Sequence, residues 1–344
     1  MDETKRRLSL RHRAAALCAT VFFAISLSGG VVRAAEDPTL RVAPVGRTVG
    51  VKLFSDGVLV VGLSEGESAA RESGLREGDV VLRFNGREID STEQLRALIA
   101  ENGEARATLA VRRGAKTLTL NVTPHEDADG VCHLGAWIRD SMAGIGTMTF
   151  YDPQSGTFGA LGHGVTDVDT GALMPLQSGG IMDASVKAVK KGESGAPGEL
   201  RGDFDLTHDC GTLRANTDCG IFGVIDEPDE TLRALPTVPV AGRGEIHTGG
   251  ATILANCSGG EVREYAIKIE KIYHGAAPTR NLLLRVTDEA LIDATGGIVQ
   301  GMSGSPILQD GKLVGAVTHV LVNDATRGYG IFIENMLHAA GLGG

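Results

Sequence analysis

A serine set among small residues near the C-terminal end of the chain is the first candidate for chemistry. In "GMSGSPILQDGKLVGAV", Ser303 is followed by Gly304, and Gly301 stands two residues before it. Small neighbours let a substrate backbone come close and let main-chain N–H groups turn towards one point, as a nucleophile beside an oxyanion hole requires. The alternative for this motif alone is a glycine-rich turn between two strands.

A serine nucleophile needs a histidine base, and the chain offers His163 in "GALGHGVTD". Its flanking glycines, Gly162 and Gly164, leave an imidazole accessible. His319, on the strand after the serine hairpin, is the alternative, and we expect it to pack in the core. The order, with the histidine 140 residues before the serine, favours a trypsin-like double barrel. An α/β-hydrolase would need glycine at Ser305 and a series of βαβ units.

The C-terminal two thirds of the chain predicts a mainly β fold. From His125 onwards, short apolar segments such as "GIGTMTFYD", "VREYAIKIEKIY" and "GKLVGAVTHVLV" are separated by Gly, Asp and Pro. With 48 Gly among 344 residues and only one Trp, the composition suits strands joined by tight turns. This pattern indicates a sandwich or a pair of β-barrels, and we assign residues 125–344 to one serine peptidase domain.

Residues 47–124 form a separate α+β unit in the sequence. Two apolar strands are followed by a hairpin turning at Asn85-Gly86, a helix within "STEQLRALIAENG", and a closing hairpin. The words "TVGVKL" and "GLREGDVVLRFNG" resemble a PDZ domain of bacterial exported proteases. The resemblance implies binding of an extended peptide beside a helix. It places the carboxylate-binding loop at Val49, Gly50 and Val51.

The N-terminus indicates export. Residues 1–34 combine a basic segment, a 14-residue apolar stretch and small residues before a cleavage position, which is typical of a signal peptide. An uncleaved membrane anchor is the alternative, and residues 35–46 are expected to be a linker. The net charge of −10 argues against nucleic acid as a partner. Among the four cysteines after the signal, Cys210 and Cys219 are the best candidates for a disulfide, and no spacing predicts a metal site.

The catalytic segments together resemble the SpoIVB-type serine peptidase family of endospore-forming bacteria. "FGALGHGVTD" and "RVTDEALIDATGGIVQGMSGSPILQDGKLVGAVTHVLVNDATRGYGI", after an N-terminal PDZ unit, carry the resemblance. It implies a catalytic triad of His163, Asp288 and Ser303, with the N–H groups of Gly301 and Ser303 as oxyanion donors. Asp288 lies only 15 residues before the serine, and three other acids could take its role: Asp167, Asp169 and Asp293.

The resemblance also implies a biological role that composition and spacing do not reach. It predicts an exported serine endopeptidase of sporulation signalling that needs no cofactor. The enzyme would be secreted from the forespore into the intermembrane space, cleave its own N-terminal region, and cleave the regulatory subunit of a membrane metalloprotease complex. That cleavage would trigger maturation of the late mother-cell sigma factor. The alternatives are a PDZ-containing envelope-quality protease and a catalytically inactive PDZ scaffold.

Overall fold

The structure, a computed structural model, describes residues 40–66, 68–205, 207–275 and 279–343. The predicted signal segment lies outside these residues, as do residues 35–39 of the predicted linker. The first part of the fold consists of the following elements: β1 (Arg41–Pro44), β2 (Thr48–Leu63), α1 (Ala69–Glu72), β3 (Val80–Phe84), β4 (Arg87–Glu88), α2 (Thr92–Asn102), β5 (Ala107–Arg113), β6 (Lys116–Val122), β7 (His125–Glu126) and β8 (Cys132–His133).

The remaining elements are mostly strands. Those of the middle of the chain are β9 (Ala136–Tyr151), β10 (Thr157–Ala160), β11 (Ser178–Lys190), β12 (Glu199–Phe204), β13 (Gly211–Thr217), β14 (Gly220–Val224), α3 (Glu230–Ala234) and β15 (Val238–Pro239). Those of the C-terminal part are β16 (Gly249–Ala255), β17 (Arg263–Ile272), β18 (Leu282–Val286), α4 (Glu289–Thr295), β19 (Pro306–Gln309), β20 (Lys312–Leu321), β21 (Asp324–Phe332) and α5 (Ile333–Ala339).

A first barrel is closed by six antiparallel strands. In the order of pairing they are β9, β10, β14, β13, β11 and β2, and the pairing of β2 with β9 completes the ring. Its interior is filled by large side chains from alternate positions, including the fully buried Met148, Phe158 and Ile181. Alternation of this kind is what a half-buried strand requires.

A second barrel is built entirely from the C-terminal part of the chain. Its strands pair in the closed order β16, β17, β18, β21, β20 and β19. The β19–β20 hairpin turns at Asp310-Gly311, where both residues have positive φ (51° and 75°), as a two-residue hairpin turn of this type needs. Two barrels after an N-terminal PDZ unit confirm the predicted mainly β fold class.

The PDZ unit follows the sequence prediction in its helix and turns. Ser91 caps α2 by accepting a hydrogen bond from the Gln94 N–H, and the apolar side of the helix is buried through Leu95, Leu98 and Ile99. The β3–β4 turn at Asn85-Gly86 has φ values of 49° and 80°. The core of this unit is a separate cluster that also takes in Leu134, which follows β8.

The boundary between the PDZ unit and the barrels differs from the prediction, because β2 and β9 belong to both. Residues 59–63 of β2 pair with β9 inside the PDZ unit, whereas residues 48–54 pair with β9 and β11 inside the first barrel. The division into 47–124 and 125–344 therefore assigns the paired strands β2 and β9 to different domains, although each contributes to both the PDZ unit and the first barrel. The linker prediction is also wrong for residues 41–44, which form β1 and pair with β9 and β15.

The predicted carboxylate-binding loop is likewise corrected. Val49, Gly50 and Val51 lie within β2 and pair on one side with β9 and on the other with β11. A strand paired on both edges has no free N–H groups for a peptide carboxylate. The two valines are buried, and a Cβ on Gly50 would lie 2.6 Å from the Phe204 side chain, so this segment is packed barrel wall.

Two further sequence predictions concern cysteines and membranes. Cys132, Cys210, Cys219 and Cys257 are free thiols in the structure, so the suggested Cys210–Cys219 disulfide is not formed. Burial raises the pKa of the Cys210 and Cys257 thiols to about 11, which keeps both protonated and unreactive at neutral pH. Within the described residues, no helix has the length and apolar character needed to span a membrane.

Candidate active site

One cavity brings the predicted histidine and serine together. It has a volume of about 590 Å³ and is lined by residues of both barrels. His163 and Gly164 come from the loop after β10, Ser303 from the loop before β19, and His319 from β20. The packing of the two barrels therefore brings His163 and Ser303, which are 140 residues apart in sequence, to a single site.

The loop that carries His163 is held by close backbone packing. Leu161 has a positive φ of 69°, which is uncommon for a non-glycine residue, and it turns the chain sharply at the end of β10. A Cβ on Gly164 would lie 2.7 Å from the carbonyl oxygen of Thr217, so only glycine fits there. Gly164 is therefore needed for packing as well as for the accessibility inferred from the sequence.

The His163 ring has a defined tautomer. Its Nδ1 lies 2.8 Å from the carbonyl oxygen of Gly164. Because a carbonyl oxygen only accepts hydrogen bonds, Nδ1 must carry the proton, which leaves Nε2 as an acceptor. That is the nitrogen a serine hydroxyl requires as its base.

Burial keeps both imidazoles of the cavity neutral. It lowers the pKa of His163 below its ordinary value of 6.5, although the hydrogen bond to Gly164 opposes this. Burial, together with the neighbouring His163 and Arg280, lowers the pKa of His319 to about 4. The two rings are tilted against each other with centroids 5.2 Å apart. His319 therefore packs on the candidate base as a neutral wall of the cavity.

Ser303 lies in a tight loop with free main-chain donors. Its hydroxyl donates to the carbonyl oxygen of Thr318 at 2.7 Å. Within the described residues, the N–H groups of Gly301 and Ser303 have no hydrogen-bond partner. Gly304 has φ of 97°, and a Cβ there would lie 2.6 Å from the Leu161 nitrogen. This loop, which lines the cavity, therefore carries a hydroxyl and two unbonded N–H groups, the groups that nucleophilic attack on a carbonyl requires.

The neighbouring serine does not reach the cavity. Ser305 is fully buried, and its backbone N–H donates to the carbonyl oxygen of Met302. Within the described part of the chain, its hydroxyl has no hydrogen-bond partner. Of the two serines of "GMSGSP", the structure thus places Ser303 at the cavity and Ser305 in the core.

Two threonines that the sequence analysis did not single out hold the Ser303 loop. Thr147 and Thr149, both buried on β9, donate from their hydroxyls to the carbonyl oxygens of Gly301 (2.8 Å) and Gly304 (2.7 Å). The Thr147 N–H also donates to the Ser303 carbonyl oxygen. Hydroxyls at alternate positions of an otherwise apolar strand, "GTMTFY", are the sequence signal that could have pointed to them.

The structure does not bring Asp288 to His163. Asp288 is the N-cap of α4: its Oδ1 accepts from the Leu291 N–H at 3.1 Å and its Oδ2 from the Ala266 N–H at 3.2 Å. Both carboxylate oxygens are thus used to hold the start of a helix in the second barrel. The triad member implied by the family resemblance is corrected to a capping residue in this arrangement.

The competing acids are also engaged elsewhere. Asp167 is buried and binds the Arg139 guanidinium and the Thr170 N–H, and Asp169 pairs with the same arginine. Asp293 is exposed on α4. No carboxylate among the described residues hydrogen-bonds the His163 ring, whose orientation is set by the Gly164 carbonyl instead.

Comparison with known families identifies both parts of the chain. The family model described as SpoIVB peptidase S55 matches residues 130–337, which is more than half of the chain. A PDZ domain model matches residues 61–113. The PDZ match thus starts within the part of β2 that belongs to the PDZ unit and leaves out Val49–Val51.

Individual relatives are more distant. The regulator of sigma-W protease RasP of Bacillus subtilis is 32% identical over 98 residues, which are 28% of this chain and 21% of that protein. The chain therefore spans about a fifth of that curated relative. Among solved structures, the inactive form of the Rv3671c protease of M. tuberculosis is 15% identical to this chain, with a TM-score of 0.34. The aligned region covers 57% of this chain and 84% of the protease chain. The PDZ domain of an SdrC-like protein from Listeria monocytogenes covers 24% of this chain and 87% of its own, at 19% identity and a TM-score of 0.22.

Proposed function

The chain belongs to the SpoIVB peptidase S55 family and is a serine peptidase with a PDZ domain, and we propose that Ser303 and His163 perform its reaction. The observation that carries this proposal is the shared cavity, which is lined by Ser303, by His163 and by Gly301. The His163 tautomer leaves Nε2 as an acceptor, and the N–H groups of Gly301 and Ser303 have no partner among the described residues.

The reaction follows from these groups. The Ser303 hydroxyl rotates away from the Thr318 carbonyl oxygen, donates to His163 Nε2, and attacks the scissile carbonyl as its proton moves to the imidazole. The N–H groups of Gly301 and Ser303 bind the oxygen as it becomes negative. The imidazolium then returns the proton to the leaving amine, and water repeats the sequence on the acyl-enzyme.

The orienting role of the third triad member falls to a main-chain group in this proposal. The Gly164 carbonyl oxygen accepts from His163 Nδ1 and so holds the tautomer that a carboxylate holds in a Ser-His-Asp triad. A neutral acceptor stabilises the imidazolium less than a carboxylate does. We therefore expect modest turnover.

The biological role of the chain is proposed on family grounds. We infer that the enzyme acts in sporulation signalling, cleaves its own N-terminal region, and cleaves a regulatory membrane protein so that the late mother-cell sigma factor matures. The family's name and the match to a regulator of a sigma-factor pathway support this role. The signal-like residues 1–34 support secretion into the space between forespore and mother cell, and an uncleaved N-terminal anchor is the alternative.

The PDZ unit is proposed to regulate the peptidase through shared strands. Residues 136–139 of β9 pair with β2 on one edge, and no strand pairs with their other edge in the described part of the chain. That edge lies beside α2, whose Thr92 N–H and hydroxyl bind the Asp140 carboxylate. An extended peptide added there would contact the same strand that lines the catalytic cavity at Met142.

Self-cleavage of the purified full chain tests the catalytic assignment. Fragments are followed by mass spectrometry for the parent beside three variants: Ser303→Ala, Ser305→Ala and Asp288→Asn. We expect Ser303→Ala alone to abolish fragments, with Asp288→Asn still cleaving. Cleavage by Ser303→Ala at the parent rate would overturn the proposal, whereas loss of cleavage in a folded Asp288→Asn variant would restore Asp288 to the triad.

A further inference from the structure

The walls of the catalytic cavity show which protein segments it can accept. Among the residues that the structure describes, those that line it include no Asp, Glu, Lys or Arg. Besides glycines, the two histidines and four uncharged polar residues, the lining consists of apolar side chains, among them Met142, Ile145, Ile298, Val299 and Val320. A charged substrate side chain would therefore lose its water without finding a partner.

The charged groups around the cavity are occupied elsewhere. The guanidinium of Arg280, whose charge acts on His319, lies over the Tyr329 ring at 5.5 Å and is not part of the cavity wall. Asp167, beside the lining residues Thr166 and Val168, is neutralised by its ion pair with Arg139. The two lining histidines are uncharged at neutral pH because burial lowers the pKa of each.

The mouth of the cavity is apolar as well. Val168 and Val322 line it, and 79% and 53% of these residues are exposed. Single exposed valines are ordinary on a protein surface. Here, however, one follows the His163 loop in the first barrel and the other follows β20 in the second, and both border the same opening. Two such side chains at one opening favour an apolar occupant.

Two strand edges at the cavity fix the form of that occupant. Four consecutive residues of β9, 142–145, border the cavity. Because successive side chains of a strand point to opposite faces of a sheet, a face of β9 would contribute only every second residue. The edge of β9 therefore faces the cavity. Thr318, His319 and Val320 of β20 border it in the same way. β19 pairs with β20 only as far as Ala316. Beyond it the Ser303 loop bonds Val317 and the Thr318 carbonyl oxygen, and no strand among the described residues pairs with this edge at 318–320.

We propose that the cavity selects an extended protein segment whose side chains around the scissile bond are uncharged and apolar, with Val168 and Val322 packing on its flanks. This inference rests on the proposed function, since it names the substrate class of the same site. Replacing one apolar side chain of the substrate by a charged one should lower kcat/KM about tenfold or more, because a single methylene group in an apolar pocket is already worth roughly a factor of 10.

The test uses the purified full chain and quenched-fluorescent peptides of one length. One set has Val, Leu or Met at the positions flanking the scissile bond, and matched sets have Lys or Asp at one of these positions. We expect the apolar set to be cut at least about tenfold faster than either charged set. Equal rates for charged and apolar peptides would overturn the inference.

A pair of variants tests the flanking contact. Val322→Lys should lower kcat/KM on apolar peptides severalfold and raise the relative use of Asp-containing peptides. Val131→Lys, at a similarly exposed valine (55%) that does not line the cavity, should change neither, and thermal unfolding should show that both variants fold. Equal effects of the two variants would count against the role of Val322.

A serine-reactive fluorophosphonate, applied to the same preparations, separates the two levels of the account. A preparation that is labelled at Ser303 but shows no preference for apolar peptides refutes this inference and leaves the proposed function standing. A folded preparation that neither reacts with the probe nor cuts any peptide refutes the proposed function, and the substrate inference falls with it.

Discussion

Replacing Thr147 by valine should separate positioning of the nucleophile loop from stability of the barrel. Valine has nearly the same shape, so the change removes only the hydroxyl that donates to the Gly301 carbonyl oxygen at 2.8 Å. Thr147 is 1% exposed, and a buried acceptor that loses its donor costs about 1–3 kcal/mol. The same residue, Gly301, carries one of the two proposed oxyanion donors.

The expected effect on turnover follows from that placement. Displacing a catalytic group by about 1 Å can cost roughly 10²-fold, and losing an oxyanion donor altogether costs about 10²–10³-fold. Since Thr149 and the Thr147 N–H still hold the loop, we expect partial displacement and a fall in kcat of about 10–100-fold, with KM nearly unchanged.

A matched control lies directly opposite on β2. Thr48 pairs with Thr147, is also 1% exposed, and donates from its hydroxyl to the Asn256 carbonyl oxygen at 3.3 Å, away from the nucleophile loop. The assay is peptide cleavage with kcat and KM resolved, beside urea unfolding of each variant. Thr48→Val should lose stability but keep kcat. If the two variants keep the same kcat, Thr147 does not position the loop and the reasoning is refuted.

Three further predictions concern the cap, a glycine and the second histidine. Asp288→Ala should lower the free energy of unfolding, measured by urea titration, by about 0.5–2 kcal/mol, because the α4 N-cap is lost. The enzyme that remains folded should keep its kcat. A large fall in kcat without loss of stability would contradict this. Gly304→Ala should abolish peptide cleavage, because its φ is 97° and its Cβ would meet the Leu161 nitrogen at 2.6 Å; activity near the parent level would show that the loop tolerates a side chain. Burial lowers the pKa of His319 to about 4, so between pH 6.5 and 4 the unfolded chain binds a proton that the folded chain does not, and the free energy of unfolding should fall as the pH falls through that window. His319→Gln should flatten that fall in urea titrations at each pH, and an unchanged pH dependence would mean that His319 does not cause it.

Features set by neighbouring residues could be predicted from the sequence. The helix α2 begins at its serine cap and ends at Gly103, and the turns at Asn85-Gly86 and Asp310-Gly311 have the positive φ values that these dipeptides favour. Glycines around His163 and Ser303 pointed to tight, accessible loops, and both residues line one cavity. In each case, the signal and the structure it specifies lie within a few residues.

Features set by distant pairing could not be predicted. An apolar, β-branched run such as "TVGVKLFSDGVLVVGL" indicates a strand but not its partners, so the sharing of β2 between the PDZ unit and the first barrel was missed. The same holds for Thr147 and Thr149, whose acceptors lie more than 150 residues away. For Asp288, an aspartate directly before "EALIDAT" is a local signal for a helix N-cap, whereas the family resemblance implies a catalytic role; the structure shows the cap.

The nucleophile is the centre of the account, and probe labelling tests it most directly. The purified full chain, Ser303→Ala and Ser305→Ala are treated with a fluorophosphonate, digested, and the modified residue is located by mass spectrometry. We expect one adduct on Ser303 in the parent and in Ser305→Ala, and none in Ser303→Ala. An adduct on another serine that persists in Ser303→Ala would contradict it.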